Sequence, residues 1–435
     1  MVKKIFLLTT LIIALNHYSS GASRDTIDLS YCYWKARELS PLKQQELLNK
    51  SIYELNYKNS GSSYLPSLFI NGKATYQSDV FSIPGTTALP EFPVIPKEQF
   101  NVNINLMQHI YDGGVSRYSR QIDESKLIMS EMDLETQLYK INEVINNVYF
   151  GILNLQESLE ILNASLENLK NQKELIASRV KNGLILESNL FNLEKQILTL
   201  EQDIIGVESD LRTMSAMLSE WIGQEVTEET LMFIPQLPDF NQALPVNRPE
   251  IGLFESQKEL LDAQYGLTNI NRTPKVWAFA QGGIGQPNPM NFFETDPSTY
   301  YMLGLQLNWD IYDWGNTSRK KQVYKMQQAI VDSKKEDFER NLNIALIKNY
   351  KEIEKLEEII QKDARIIELQ DKIVLSAFSE LENGVITSTE YLAELNTLIQ
   401  SKIRRAQHEL SLSHTYVTIY TSTGNILNYN NAENE

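Results

Sequence analysis

The sequence predicts a mainly α-helical fold with a β-barrel contribution: internally duplicated long coiled-coil hairpins plus four transmembrane strands in one chain. Three observations carry this expectation. All 14 prolines lie in two windows, Pro41 to Pro96 and Pro235 to Pro297, leaving segments 97–234 and 298–435 proline-free, each 138 residues long. Short motifs recur 201 positions apart: Ile110-Tyr111-Asp112 with Ile311-Tyr312-Asp313, and Asn182-Gly183 with Asn383-Gly384. Three further stretches alternate apolar and polar residues with period two, and a glycine-rich fourth occupies the matching place.

In chain order, the first element is a targeting signal. Lys3 and Lys4 precede an apolar run from Ile5 to Leu15, and Ser20-Gly21-Ala22 supplies small residues for cleavage. The run is too short for a bilayer, so residues 1–22 read as a secretory signal peptide. The duplication then divides the chain into repeat 1, residues 23–249, and repeat 2, residues 250–435. Each repeat is expected to hold a short helix, two strands and a long helical hairpin.

The strand candidates follow. Leu68, Ile70, Gly72, Ala74 and Tyr76 alternate with polar neighbours, as do Phe100, Val102, Ile104 and Leu106 with Asn101, Asn103 and Asn105. In repeat 2, Tyr301, Leu303, Leu305, Leu307 and Trp309 do the same, and Val276 to Gly285 takes the fourth place. One apolar and one polar face suit a barrel wall between lipid and water, with Tyr300, Tyr301, Trp309, Tyr312 and Trp314 as an interfacial girdle. A soluble sheet packed on helices is the competing reading. Four strands cannot close a barrel with a pore, and open edges are not tolerated in lipid, so several protomers must share one barrel.

Proline costs about 3 kcal/mol inside a helix, so its absence over two long segments marks helical units. From Leu134 a seam runs through Leu138, Ile141, Ile145, Val148, Ile152, Leu155, Leu159, Leu162, Leu166 and Leu169 in steps of four and three. That is coiled-coil spacing. A second seam, Leu193 to Trp221, follows the Asn182-Gly183 turn. Repeat 2 repeats the plan, but Asp363 and Gln370 interrupt its seam. A helix from Val115 to Asn182 would be roughly 100 Å long.

Composition excludes several functions. The net charge of −16 and pI near 4.9 leave no basic stripe for nucleic acid. Cys32 stands alone and the four His are scattered, so neither a disulfide framework nor a metal centre is expected. Gly282-Gly283-Ile284-Gly285 lacks the Lys and Ser/Thr of a phosphate loop, and no nucleophile or metalloprotease motif occurs. No catalytic residue, cofactor or metal is predicted.

The whole pattern resembles the TolC-like outer membrane efflux proteins. The residues that carry the likeness are Tyr64-Leu65-Pro66-Ser67, Gln108 to Gly114, Asn308 to Gly315, Arg179 to Ile185 and Glu380 to Ile386. The resemblance implies a homotrimer with a twelve-stranded barrel in the outer membrane of a Gram-negative bacterium and a helical tunnel in the periplasm. It also implies the role of exit duct in a tripartite efflux or secretion system, joined through a periplasmic membrane-fusion adaptor to an inner-membrane transporter. Asn182, Gly183, Leu184, Asn383, Gly384 and Val385 would be the adaptor-docking tips. The family's acidic pair, six and nine residues past the turn glycine, falls on Glu390 and Ala393, and the family's arginine two past it falls on Ile386. Glu390, with Glu394 beside the lost position, is the expected periplasmic gate. The alternative is a periplasmic coiled-coil adaptor or scaffold, but adaptors usually carry one hairpin rather than two.

Overall fold

Two helices of 67 residues dominate the computed structural model, which describes residues 26–81, 93–235, 244–291 and 293–425. The first repeat region runs β1 (Thr26–Ile27), α1 (Leu29–Leu39), α2 (Gln44–Ser62), β2 (Ser67–Tyr76), β3 (Glu98–Tyr111), α3 (Val115–Lys181), α4 (Glu187–Ile222) and β4 (Leu231–Met232). The second runs α5 (Pro249–Thr268), β5 (Lys275–Gln286), β6 (Ser298–Asn308), α6 (Asn316–Glu382) and α7 (Ser388–Ser422). The expected signal peptide lies outside the described residues.

The seams read from the sequence are where the helices pack. Leu138, Ile141, Ile145, Val148 and Ile152 of α3 are buried with Leu211, Leu218 and Ile222 of α4 and with Leu29, Cys32, Tyr33 and Ala36 of α1. Farther along, Leu162, Leu169 and Ile176 join Leu193 to Ile204 of α4 and Tyr391 to Ile399 of α7 in a second core. Each buried aliphatic side chain contributes about 1.5–3 kcal/mol, which is how so long a hairpin stays closed. The polar interruptions are cross-links: buried Asp363 meets His408 Nδ1 at 2.6 Å, and buried Gln370 donates to Glu394 at 2.7 Å.

The four long strands form one antiparallel sheet in the order β2-β3-β5-β6. The β3–β5 ladder, from Phe100 opposite Gln286 to Tyr111 opposite Val276, joins the two repeats. Among the described residues β2 and β6 each pair on one side only. Leu68, Ile70, Val102, Ile104, Tyr301, Leu303, Leu305 and Leu307 are all exposed on one face, and Asn101, Asn103 and Asn105 lie on the other. One girdle expectation fails. Tyr300 is only 8% exposed, whereas Tyr301 is 81% exposed. Period-two alternation sends Tyr300 to the polar face, where its hydroxyl donates to Asn101 Oδ1 at 2.7 Å. Among the described residues no helix is long and apolar enough to cross a membrane.

Candidate functional sites at the hairpin tips and the sheet–helix joint

The hairpin turns are built by the same backbone device. Gly183 N donates to Val180 O at 2.9 Å and Leu184 N to Arg179 O at 3.0 Å. Gly384 N donates to Leu381 O at 3.0 Å and Val385 N to Glu380 O at 2.8 Å. This double closure requires a left-handed residue after the cap, and Gly183 and Gly384 have φ of +72° and +70°. Asn182 and Asn383 are the C-caps. In such a turn the next apolar residue often packs back on the last helical turn. Here the residues three before each cap are Arg179 and Glu380, so Leu184 and Val385 find no apolar partner there and stay 65% and 72% exposed.

Two positions further on, α7 begins with a reciprocal cap. Glu390 Oε2 accepts from Thr387 N at 2.7 Å and from Thr387 Oγ1 at 2.9 Å, and Thr387 Oγ1 accepts from Glu390 N. These donors hold the Glu390 carboxyl below the usual glutamate range. Glu394 lies one turn along but engages differently, taking Gln370 from α6 across the hairpin. Ile386 packs on the second core.

Sequence reading missed most of what ties this end together. Arg179 donates to Glu382 O at 2.7 Å and Glu382 Oε1 at 3.2 Å, linking the two hairpins. Tyr391 donates to Gln172, Asn192 to Ser388 Oγ at 3.0 Å, and Gln196 to Asn396 Oδ1 at 2.9 Å. The start of α7 is thereby held by α3, α4 and α6. The one available signal was a polar residue beside an otherwise apolar seam, as at Gln196 next to Ile197.

At the other end, the duplicated Ile-Tyr-Asp motifs turn strand into helix. Asp112 accepts from Gly114 N at 2.8 Å, Ser116 N at 2.7 Å and Tyr64 Oη at 2.8 Å. Asp313 accepts from Gly315 N at 3.1 Å, Thr317 N at 2.8 Å and Arg272 at 2.8 Å. Burial raises the Asp112 carboxyl, but these hydrogen bonds outweigh it and bring it down to about 2. Among the described residues no cluster of His, Cys, Asp or Glu is placed to hold a metal.

Residues 52–224 match the family model of outer membrane efflux proteins. No curated protein sequence matches the chain. Solved structures do. VceC of Vibrio cholerae superposes with TM-score 0.65 at 15% identity, covering 91% of this chain and 96% of its own. CmeC of Campylobacter jejuni gives 0.64 at 13% identity, with coverages of 91% and 85%. MtrE of Neisseria gonorrhoeae gives 0.62 at 15%, with coverages of 92% and 89%. The chain is thus similar to outer membrane efflux proteins in sequence over residues 52–224, and it shares the fold of these channel structures over nearly its whole length.

Proposed function

We propose that this protein is the outer membrane exit duct of a tripartite efflux or secretion system and conducts substrates passively, without altering them. The observation that carries the reading is the four-stranded sheet: one face apolar and exposed, the other amide-rich, and both outer strands with a free edge. Lipid cannot solvate an open edge, and the smallest single-chain membrane barrels need about 8 strands. A homotrimer closes the edges with twelve strands, sets the sheet in the outer membrane and gathers the helices into a periplasmic tunnel. The long paired hairpins, carried on a sheet, do not suit the adaptor alternative.

Partners follow from the far end. Leu184 and Val385, with Leu186 beside the first, are exposed apolar points of the two tips, suited to the hairpins of a membrane-fusion adaptor that in turn holds an inner-membrane transporter. Glu390 and Glu394, beside these tips, would stand as acidic rings at the tunnel mouth. The purified protein, reconstituted in planar bilayers, tests the duct directly: long-lived channels in the hundreds of picosiemens or above are expected from detergent-stable trimers. A monodisperse monomer that inserts without conducting would overturn the proposal.

A further inference from the structure

The polar face of the sheet is not uniform along its length. Toward the loops it carries amides: Asn103 donates to Asn101 Oδ1 at 3.3 Å, Asn105 donates to Asn103, and Tyr300 closes the ladder on Asn101. Toward the helices the same face becomes aromatic. The register sets Phe69 opposite Asn105, Met107 opposite Phe279, and His109 opposite Trp277. The His109 and Trp277 rings are 5.5 Å apart. Phe279 faces Gly304 across the next ladder, and its ring occupies the space a side chain would take there. A Cβ on Gly304 would lie 2.6 Å and 2.8 Å from ring atoms Cζ and Cε1. Glycine at 304 therefore lets the ring lie along the wall.

The charges on this face have one sign. Counting alternate residues from those placed opposite each other, the face carries Lys73 and Lys275 and no carboxylate among the described strand residues. Lys275 is two residues from Trp277 on the same strand and face, within a side chain's reach of the aromatic patch. Aromatic faces next to a cation suit a flat ring bearing an anionic edge: stacking holds the ring, and the ammonium and amides take the carboxylate. Hard metal ions find no oxygen-anion ligands here.

We propose that Phe69, His109, Trp277 and Phe279, with Lys275 beside them, form a transient binding collar for planar aromatic carboxylates where the sheet meets the helices. The collar rests on the duct reading above, since it needs this face to line water. It gives the duct a substrate preference of its own, additional to whatever a transporter selects. Three copies would put twelve rings around the bore.

The test is current interruption in planar bilayers by 2-naphthoate and by cyclohexanecarboxylate, which share one charge but differ in the aromatic ring. The native protein should bind naphthoate about tenfold more tightly, as expected for aromatic pairing beyond simple burial. Phe279→Leu with Trp277→Leu should reduce that ratio to below about threefold, whereas Lys275→Gln should weaken both anions alike. Potassium chloride conductance reports correct assembly of each variant, and the comparison of the two anions on native protein needs no variant. Equal interruption by both anions in native channels, or an undiminished ratio in the assembled Leu variants, would overturn the collar while leaving the duct intact. Absence of any channel would overturn the duct itself, and the collar with it.

Discussion

A single aspartate stands at each passage from strand to helix, and its three hydrogen bonds explain why the Ile-Tyr-Asp motif occurs twice. Asp112 satisfies Gly114 N and Ser116 N, which the first turn of α3 would otherwise leave unpaired. Asp112→Ala should therefore cost about 1–2 kcal/mol in thermal unfolding at neutral pH, and Asp112→Asn less. The carboxyl is depressed to about 2 in the fold. Its stabilisation is complete above the ordinary aspartate value of about 3.9 and disappears as pH falls through the folded value. The stability gap between native protein and Asp112→Asn should accordingly hold from about pH 8 to 5 and close between about pH 4 and 2. A gap that is flat down to pH 2 would exclude this role. Glu390 allows a similar separation at the other end. Gln can serve in the same reciprocal cap, so Glu390→Gln removes charge while keeping the helix start. If Glu390 and Glu394 form acidic rings, Glu390→Gln with Glu394→Gln should lower cation selectivity and weaken block by divalent cations from the tip side. Unchanged selectivity in assembled channels would leave Glu390 as a cap alone.

At the scale of elements, α7 differs from α4 in how it is held. Its partner α6 has the less regular seam, and polar pairs occupy the gaps. Asp363 is 7% exposed and its ring partner His408 comes from α7. Removing one member of such a pair leaves a buried group unsatisfied, at about 1–3 kcal/mol, while replacing both with apolar residues is nearly neutral. We expect His408→Ala to lower the helical unfolding transition clearly, and Asp363→Leu with His408→Leu to restore most of it. Equal losses in the single and double variants would mean that packing volume, not the polar pair, matters at this level. The same logic applies nearer the tip, where Gln370 reaches Glu394 and Tyr391 reaches Gln172.

For the whole molecule, the decisive feature is that two unlike surfaces sit about 100 Å apart, at opposite ends of helices of 67 residues. On the proposed duct reading the sheet end is completed by copies of itself, and the tip end presents apolar side chains to water. Leu184→Asp with Val385→Asp should therefore abolish export in cells while leaving the trimer and its membrane level unchanged. Loss of the trimer itself would mean that the tips serve assembly, and full export would remove them as docking points. The expected trimer should survive mild detergent, because separating protomers would expose the free edges of β2 and β6. Cross-linking in detergent that yields only monomer would contradict this.

The sequence alone was enough for whatever depends on local period and local turn chemistry. Three-and-four spacing placed the seams, and α3 ends within a residue of its expected limit because the Asn182-Gly183 turn bounds it. Period-two alternation found β2, β3 and β6, while β5, whose glycines weaken that signal, was placed by its matching position in the repeat and pairs from Lys275 to Gln286. Of the candidate site, the exposed Leu184 and Val385 were legible, since a turn residue after a glycine has little around it. What needed tertiary structure was every pairing between distant segments. The parallel β1–β4 ladder, the insertion of α1 into the α3–α4 core, and the β3–β5 junction leave no local trace. Alternation along β6 already separates Tyr300 from Tyr301, but only the pairing across the sheet shows that Tyr300 reaches Asn101. Gln172, Arg179 and Gln196 look like solvated helix residues until α6 and α7 arrive beside them. A polar side chain's role is set by its partner, and when the partner is some 200 residues away only the folded chain brings the two together.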